Sequence, residues 1–288
     1  LSEAPIGVFD SGVGGLTVLK ALAAELPREH FVYLGDTARL PYGTKSPETV
    51  ARYAVQAAEA LSEYGVKCLV IACNTASSVG LPAIRAHISG VPIVGVIEPG
   101  AEAACAASKS GHIAVIATEG TVRGGAYQEA ILRLRARARV LARPTQLFVA
   151  LAEEGLYEGP IAESVARHYL DPVFHASRSV AGPDPASGHD SSARDLSAPD
   201  TLVLGCTHFP MLAAAIRAAI GPTITLVDSA ATTARAVRET LDRQRLTRPE
   251  GEGTIRFLAT DSPERFARIG SRFLERPIDL EEVELVDL

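Results

Sequence analysis

Tryptophan is missing from this 288-residue chain, methionine occurs once, and aromatic residues make up 5% of it. A surface for single-stranded nucleic acid works by stacking bases on aromatic rings, so the composition speaks against that class. Lysine is scarce as well: Lys20, Lys45, Lys67 and Lys109 are the whole set, and none stands at the end of an expected strand. The 28 basic residues are outnumbered by 34 acidic ones, leaving a formal charge of −6, and no basic block gathers the cations that a duplex backbone requires. We expect no nucleic-acid partner. Nor does any stretch supply the roughly 18 uninterrupted apolar residues of a membrane helix, and the start shows no basic region followed by an apolar run. The cysteines, at 68, 73, 105 and 206, are too far apart for a C-x-x-C pair or for zinc-site spacing. With 47% hydrophobic and 22% charged residues the chain has ample core without disulfides. The thiols read as reduced, in a cytoplasmic protein without a membrane partner.

What is present is an alternation. Short β-branched apolar runs are separated by alanine-rich stretches of helical character, the pattern of an α/β fold with parallel strands. The runs predict strands at 6–9, 31–34, 68–72, 93–97, 113–117, 147–150, 202–205 and 224–227, with a ninth at 255–259. Helices are predicted between them, for example over 49–64 and 124–142. Arg133, Arg135, Arg137 and Arg139 in the second of these read as a solvated, cationic helix end.

The first eight strands divide into two fours that resemble each other. LVIACNT (69–75) aligns with LVLGCTH (202–208), VPIVGVIEPGA (91–101) with GPTITLVDSAA (221–231), and IGVFDSG (6–12) more loosely with IAVIATEG (113–120). Asp10 and Cys73 are 63 positions apart, Ala117 and Cys206 are 89 apart, and the excess of 26 is the length of 175–200. That stretch is rich in Ser, Pro, Gly and Asp and has no hydrophobic period, so we expect a mobile loop inserted into the second copy of a duplicated unit. The expected architecture is two pseudo-symmetric domains, each a mainly parallel sheet flanked by helices, divided between 1–98 and 99–228.

In open parallel sheets, ligands sit beyond the carboxyl ends of the strands. Asp10, Ser11, Asp36, Cys73, Asn74 and Thr75 stand at those ends in the first half, and Thr118, Thr121, Cys206, Thr207 and His208 in the second. Halves that face each other would direct both sets into one interdomain cleft. A thiol between a strand and a helix lies near backbone N–H groups and the positive end of the helix dipole, which favour the thiolate. Two such thiols on opposite walls suit one reaction: taking a proton from one face of a carbon and returning one to the other. The competing reading is of buried structural cysteines. It suits Cys68 and Cys105, whereas the polar flanks of Cys73 and Cys206 favour a functional pair.

FDSGVGG (9–15) has neither the G-x-G-x-x-G order nor the G-K-[ST] ending of phosphate-binding loops. It reads either as a turn whose N–H groups bind a carboxylate or as a plain tight strand-to-helix turn. PYG (41–43), after the second strand, is open to the same two readings.

Taken together, the chain resembles the glutamate racemases, cofactor-independent isomerases that make D-glutamate for peptidoglycan. The matching stretches are GVFDSGVGGLTVL (7–19), YLGDTARLPYGTKS (33–46), IACNTAS (71–77), GVIEPG (95–100), IATEGTV (116–122), LVLGCTHFP (202–210) and LVDSA (226–230). Each is weak alone; the ordered set is specific. The resemblance implies two α/β domains of like topology, with 229–288 returning to the first, an active site between them, and neither pyridoxal phosphate nor a metal. It implies that Cys73 and Cys206 are two acid/base thiols, each serving one enantiomer, that Asp10 and His208 assist them, and that Glu153 is an acidic residue of the same vicinity. Ser11, Pro41, Tyr42, Gly43, Asn74, Thr75, Thr118, Thr121 and Thr207 match the set that holds glutamate, mostly through backbone amides and hydroxyls. His208 also reads as a satisfied hydrogen-bonding histidine, and Glu153 as a helix cap or a surface carboxylate.

There are departures from the family pattern. Arg143-Pro144 stands where Cys-Pro is expected before a strand at LFV, and Phe209 stands where Tyr is frequent. The acidic tail with Glu281, Glu282, Glu284 and Asp287 has no assigned role. With FDSG at 9–12, no N-terminal regulatory extension is expected, and hence no activation by a cell-wall precursor. Two rival readings are racemisation of aspartate and, because some family members inhibit DNA gyrase, a protein-binding role for which a charge of −6 is modest. The sequence leaves the oligomeric state open, a homodimer included.

Overall fold

The computed structural model describes residues 2–174 and 198–288, so the expected insertion at 175–200 lies outside the described residues except for its last three positions. Ten strands are described: β1 (Ile6–Asp10), β2 (Phe31–Gly35), β3 (Cys68–Ile71), β4 (Ile93–Gly95), β5 (His112–Ala117), β6 (Arg139–Pro144), β7 (Thr201–Gly205), β8 (Thr225–Asp228), β9 (Ile255–Ala259) and β10 (Val283–Leu285). They form two sheets, ordered β10-β9-β2-β1-β3-β4 and β6-β5-β7-β8. Every neighbouring pair is parallel. The four strands of each half follow one order, second-first-third-fourth, so the duplication read from the paired motifs is present in the topology.

The helices are α1 (Leu16–Glu25), α2 (Pro47–Glu63), α3 (Asn74–Val79), α4 (Leu81–His87), α5 (Ile97–Ala107), α6 (Glu119–Gly124), α7 (Ala126–Leu134), α8 (Leu147–Glu154), α9 (Gly159–Phe174), α10 (Ala213–Ile220), α11 (Ser229–Gln244) and α12 (Pro263–Leu274). They cover both faces of the sheets, which is why IGVFD, FVYLG, CLVI and TLVLG are buried at every residue and read as continuous apolar runs. Helix α2 shows the local logic. Ser46 caps it by accepting from the Thr49 N–H, Pro47 supplies the fixed first-turn geometry, and Val50, Ala54, Ala57, Ala58 and Leu61 form one buried stripe. One apolar cluster runs through both halves, from Val8 and Phe31 to Ile116, Leu204 and Phe273.

Two expectations are corrected. The strand predicted at 147–150 is helix α8, and the second strand of the second half is β6, inside the segment predicted to be helical. Phe148, Leu151 and Ala152 are buried at helical spacing and Gly155 closes the helix in the left-handed conformation, while β6 is an edge strand with interleaved, half-exposed arginines that conceal its alternation. The predicted helix over 124–142 is therefore only α7. Arg133 beyond its midpoint pairs with Glu98 at 2.5 Å, and Arg135 donates to the Ser108 carbonyl at 2.7 Å. The acidic tail, given no role from sequence, adds β10 beside β9, with Glu284 ion-paired to Arg256. Helix α5 begins at Ile97, which packs with Val115, Val203 and Val227 of the second sheet, so position 98 falls inside a helix of that sheet. No helix of the described residues is long and apolar enough to cross a membrane.

Candidate active site

Strand register sets the site. Asp10 lies opposite Gly35 and Phe9 opposite Ile71, while Ala117 lies opposite Gly205. The residues that follow therefore emerge level with one another at each carboxyl edge: Ser11, Asp36 and Cys73 from the first sheet, Thr118 and Cys206 from the second. One cleft takes lining residues from both edges. Ser11, Pro41, Tyr42, Gly43, Cys73, Asn74, Thr75 and Thr118 line it, together with Glu153, Cys206, Thr207 and His208. Asp10 and Thr121 stand behind the lining; the Thr121 hydroxyl is 3.2 Å from that of Thr75 and 3.0 Å from that of Thr118. Gly12, Leu40, Gln146 and Val149 line the cleft too, unforeseen from sequence. Gly12 and Leu40 sit inside quoted motifs, but Gln146 and Val149 reach the cleft only because α8 is a helix.

Both thiols are unpaired, and only 5% of Cys73 and 6% of Cys206 is exposed. Cys73 caps the start of α3, where its Sγ accepts from the Ala76 N–H at 3.4 Å and donates to Ser11 Oγ at 3.4 Å. Burial, reinforced by the neighbouring Asp10 charge, pushes this thiol up to about 12 against the pull of those two bonds. Asp10 is itself buried; one oxygen accepts from the Gly12 N–H at 2.9 Å and the other has no partner in the protein. Burial raises its carboxyl above the usual range, partly offset by the His208 charge and the loop N–H groups.

Cys206 has a different setting. Its Sγ is 3.7 Å from His208 Nδ1, His208 Nε2 is 3.1 Å from Glu153 Oε1, and Glu153 Oε2 accepts from Arg265 at 2.7 Å. Burial alone would lower the imidazole, but its bonds to Cys206 and Glu153 raise it to about 10. Burial would raise Glu153, yet His208 and Arg265 hold it below the usual carboxylate range. Phe273 stacks edge-on against the His208 ring at 5.2 Å. Gly14 is required beside this chain, because a Cβ there would lie 2.4 Å from both the His208 ring and the Thr207 hydroxyl.

The PYG loop is held from behind. Asp36, fully buried, accepts from the Tyr42 hydroxyl, from Arg39 Nε at 2.7 Å and from Thr260 at 3.0 Å. On the other side Thr75 and Thr118 join hydroxyls at 2.9 Å across the two halves, and Thr17 donates to the Thr207 carbonyl at 3.0 Å. None of the four lysines lines the cleft. Among the described residues no three His, Cys, Asp or Glu side chains converge to hold a metal ion.

Two matching parallel sheets, each delivering a thiol to one cleft, make this an α/β protein of paired-cysteine design. Residues 6–171 match the Asp/Glu/Hydantoin racemase family. Over 270 residues the chain is 48% identical to a glutamate racemase of Geobacter metallireducens, covering 93% of this chain and 92% of that protein. The crystal structure of glutamate racemase from Francisella tularensis in complex with D-glutamate superposes with a TM-score of 0.86 at 33% identity, covering 100% of this chain and 98% of that one. Glutamate racemase from Thermus thermophilus in complex with β-chloro-D-alanine gives 0.81 at 43% identity, with coverage of 100% and 98%. The chain belongs to the glutamate racemase family.

Proposed function

We propose that this protein interconverts L- and D-glutamate by two-thiol proton transfer at the cleft between the sheets. The observation that carries this reading is the pair Cys73 and Cys206, delivered to one cleft by equivalent strands of the two halves. The reacting unit is then two halves, the expected 1–98 with 229–288 and 99–228, with the first boundary moved back to the start of α5 at Ile97.

The α-proton of an amino acid is very weakly acidic, so a dry site with fixed donors at the carboxylates and a closely placed base must supply the rate. With Cys206 as the thiolate and His208 as its countercharge, Sγ takes the α-proton: the Cα–H bond breaks and an S–H bond forms. The thiol of Cys73 gives its proton to the opposite face, where a new Cα–H bond forms and the S–H bond breaks. The amino acid leaves inverted and the two sulfurs exchange protonation states. The other enantiomer runs the same steps in reverse. Asp10, beside Cys73, disfavours a thiolate there by its charge, which suits Cys73 to begin as the donor. The hydroxyls of Ser11, Thr75, Thr118 and Thr207 and the amide of Asn74 receive the carboxylates and ammonium.

Chiral chromatography of L- and D-glutamate incubated with the protein, with aspartate run alongside, tests the reading. We expect racemisation of glutamate, and its loss in both Cys73→Ser and Cys206→Ser with the fold retained. In deuterated water each single variant should incorporate label into only one enantiomer. Normal turnover in either variant, or a preference for aspartate, contradicts the assignment.

A further inference from the structure

Tyr127 belongs to none of the expected site residues, yet it reaches one of them across the boundary between the halves. It lies in the first turn of α7, in the second half, and is fully buried. Its hydroxyl donates to Oδ1 of Asn74 at 2.8 Å, the residue next to Cys73 in the first half. Burial raises the phenol above its ordinary range, so it keeps the proton it donates. Its ring is wedged between two glycines. A Cβ on Gly100 of α5 would lie 3.2 Å from the ring and its oxygen, and one on Gly205, at the end of β7 and just before Cys206, would lie 3.1 Å from the ring's other edge. The hydroxyl therefore has little freedom to leave Asn74.

Asn74 is itself 3% exposed and lines the cleft, and its Nδ2 has no partner in the protein. An unpaired buried donor is costly, so its position calls for an acceptor. A carboxylate is an acceptor-only group that such an amide matches. The amide could also turn over, and it would then present its carbonyl oxygen to that carboxylate, a repulsive pairing. A tyrosine that donates to Oδ1 selects the orientation with the N–H groups toward the cleft. We infer that Tyr127 is a positioning residue of the substrate site: it fixes the Asn74 amide so that Nδ2 donates to a carboxylate of the amino acid, and it ties that donor to the strand carrying the opposite thiol. This rests on the reading of the cleft as a glutamate site.

A double-mutant cycle tests it. Glutamate binding by calorimetry and steady-state kinetics in both directions are measured for the wild type, Tyr127→Phe, Asn74→Ala and the double variant. Tyr127→Phe removes one oxygen and should raise Kd and KM about tenfold, the effect of one well-placed buried hydrogen bond, with a smaller change in kcat. In the Asn74→Ala background the same substitution should change neither constant, which a merely structural role would not produce. Asn74→Asp leaves the core untouched and keeps an acceptor for Tyr127, but turns an oxygen toward the cleft; it should weaken binding at least as much as Asn74→Ala. Unchanged constants in Tyr127→Phe, additive effects in the double variant, or near-normal binding by Asn74→Asp overturns the proposal. A wild type that binds no glutamate removes the functional reading itself, and the proposal with it.

Discussion

Cys73 and Cys206 occupy equivalent places in the repeat but sit in unlike electrical surroundings. One faces a buried carboxylate that opposes a thiolate; the other faces an imidazole supported by Glu153 and Arg265. The difference has a measurable consequence. A histidine whose folded value is raised from 6.5 to about 10 stabilises the fold in full below pH 6.5, progressively less above it, and not at all beyond about pH 10. The stability gap between wild type and His208→Asn, from urea denaturation at a series of pH values, should therefore shrink steadily from pH 6.5 to 10. A gap that stays level or widens would show that His208 is not held as an imidazolium. At this scale the thiols and their flanking polar residues were readable, because their chemistry is local. Tyr127, Gln146, Val149 and Arg265 were not: they reach the site from elements distant in sequence.

Among the elements, α8 decides how the second half meets the cleft. LFVALAEE begins as an apolar run of strand length, but its buried set has helical spacing and leaves Leu147 exposed at 47%. Phe148, fully buried, makes edge contacts with Phe209 at 5.4 Å and Tyr169 at 5.3 Å. Phe148→Ala should cost about 3–5 kcal/mol of stability, whereas Leu147→Ala should cost about 0.5 kcal/mol or less. Comparable losses at the two positions in denaturant unfolding would contradict the helix. Strands buried on both faces were legible as unbroken apolar runs. The edge strands β6 and β10 were not, since one side of each faces solvent and their residues follow the demands of water.

For the whole molecule, the halves are joined through the residues that line the cleft. Thr75 meets Thr118, Thr17 meets Thr207, Tyr127 meets Asn74, and Arg265 of α12 closes on Glu153 of α8. A ligand in the cleft would therefore meet side chains that are tied to both halves. Arg265 is 46% exposed, so Arg265→Ala should change stability by about 1 kcal/mol or less. It frees one oxygen of Glu153 without removing the His208 contact, and kcat should fall, though less than in Glu153→Gln. A kcat at the wild-type level, or a loss exceeding that of Glu153→Gln, would show that the ion pair does not act through His208.

The sequence alone determined the α/β alternation, the duplication and the place of two thiols at equivalent strand ends, because strand burial and strand-end chemistry are written in short contiguous stretches. Only the tertiary structure decided which sheet each edge strand joins, that α8 rather than a strand lines the cleft, and that Arg265 and Tyr127 hold groups beside opposite thiols. Those outcomes depend on packing between segments far apart in the chain, and no local pattern of residues encodes the distance between them.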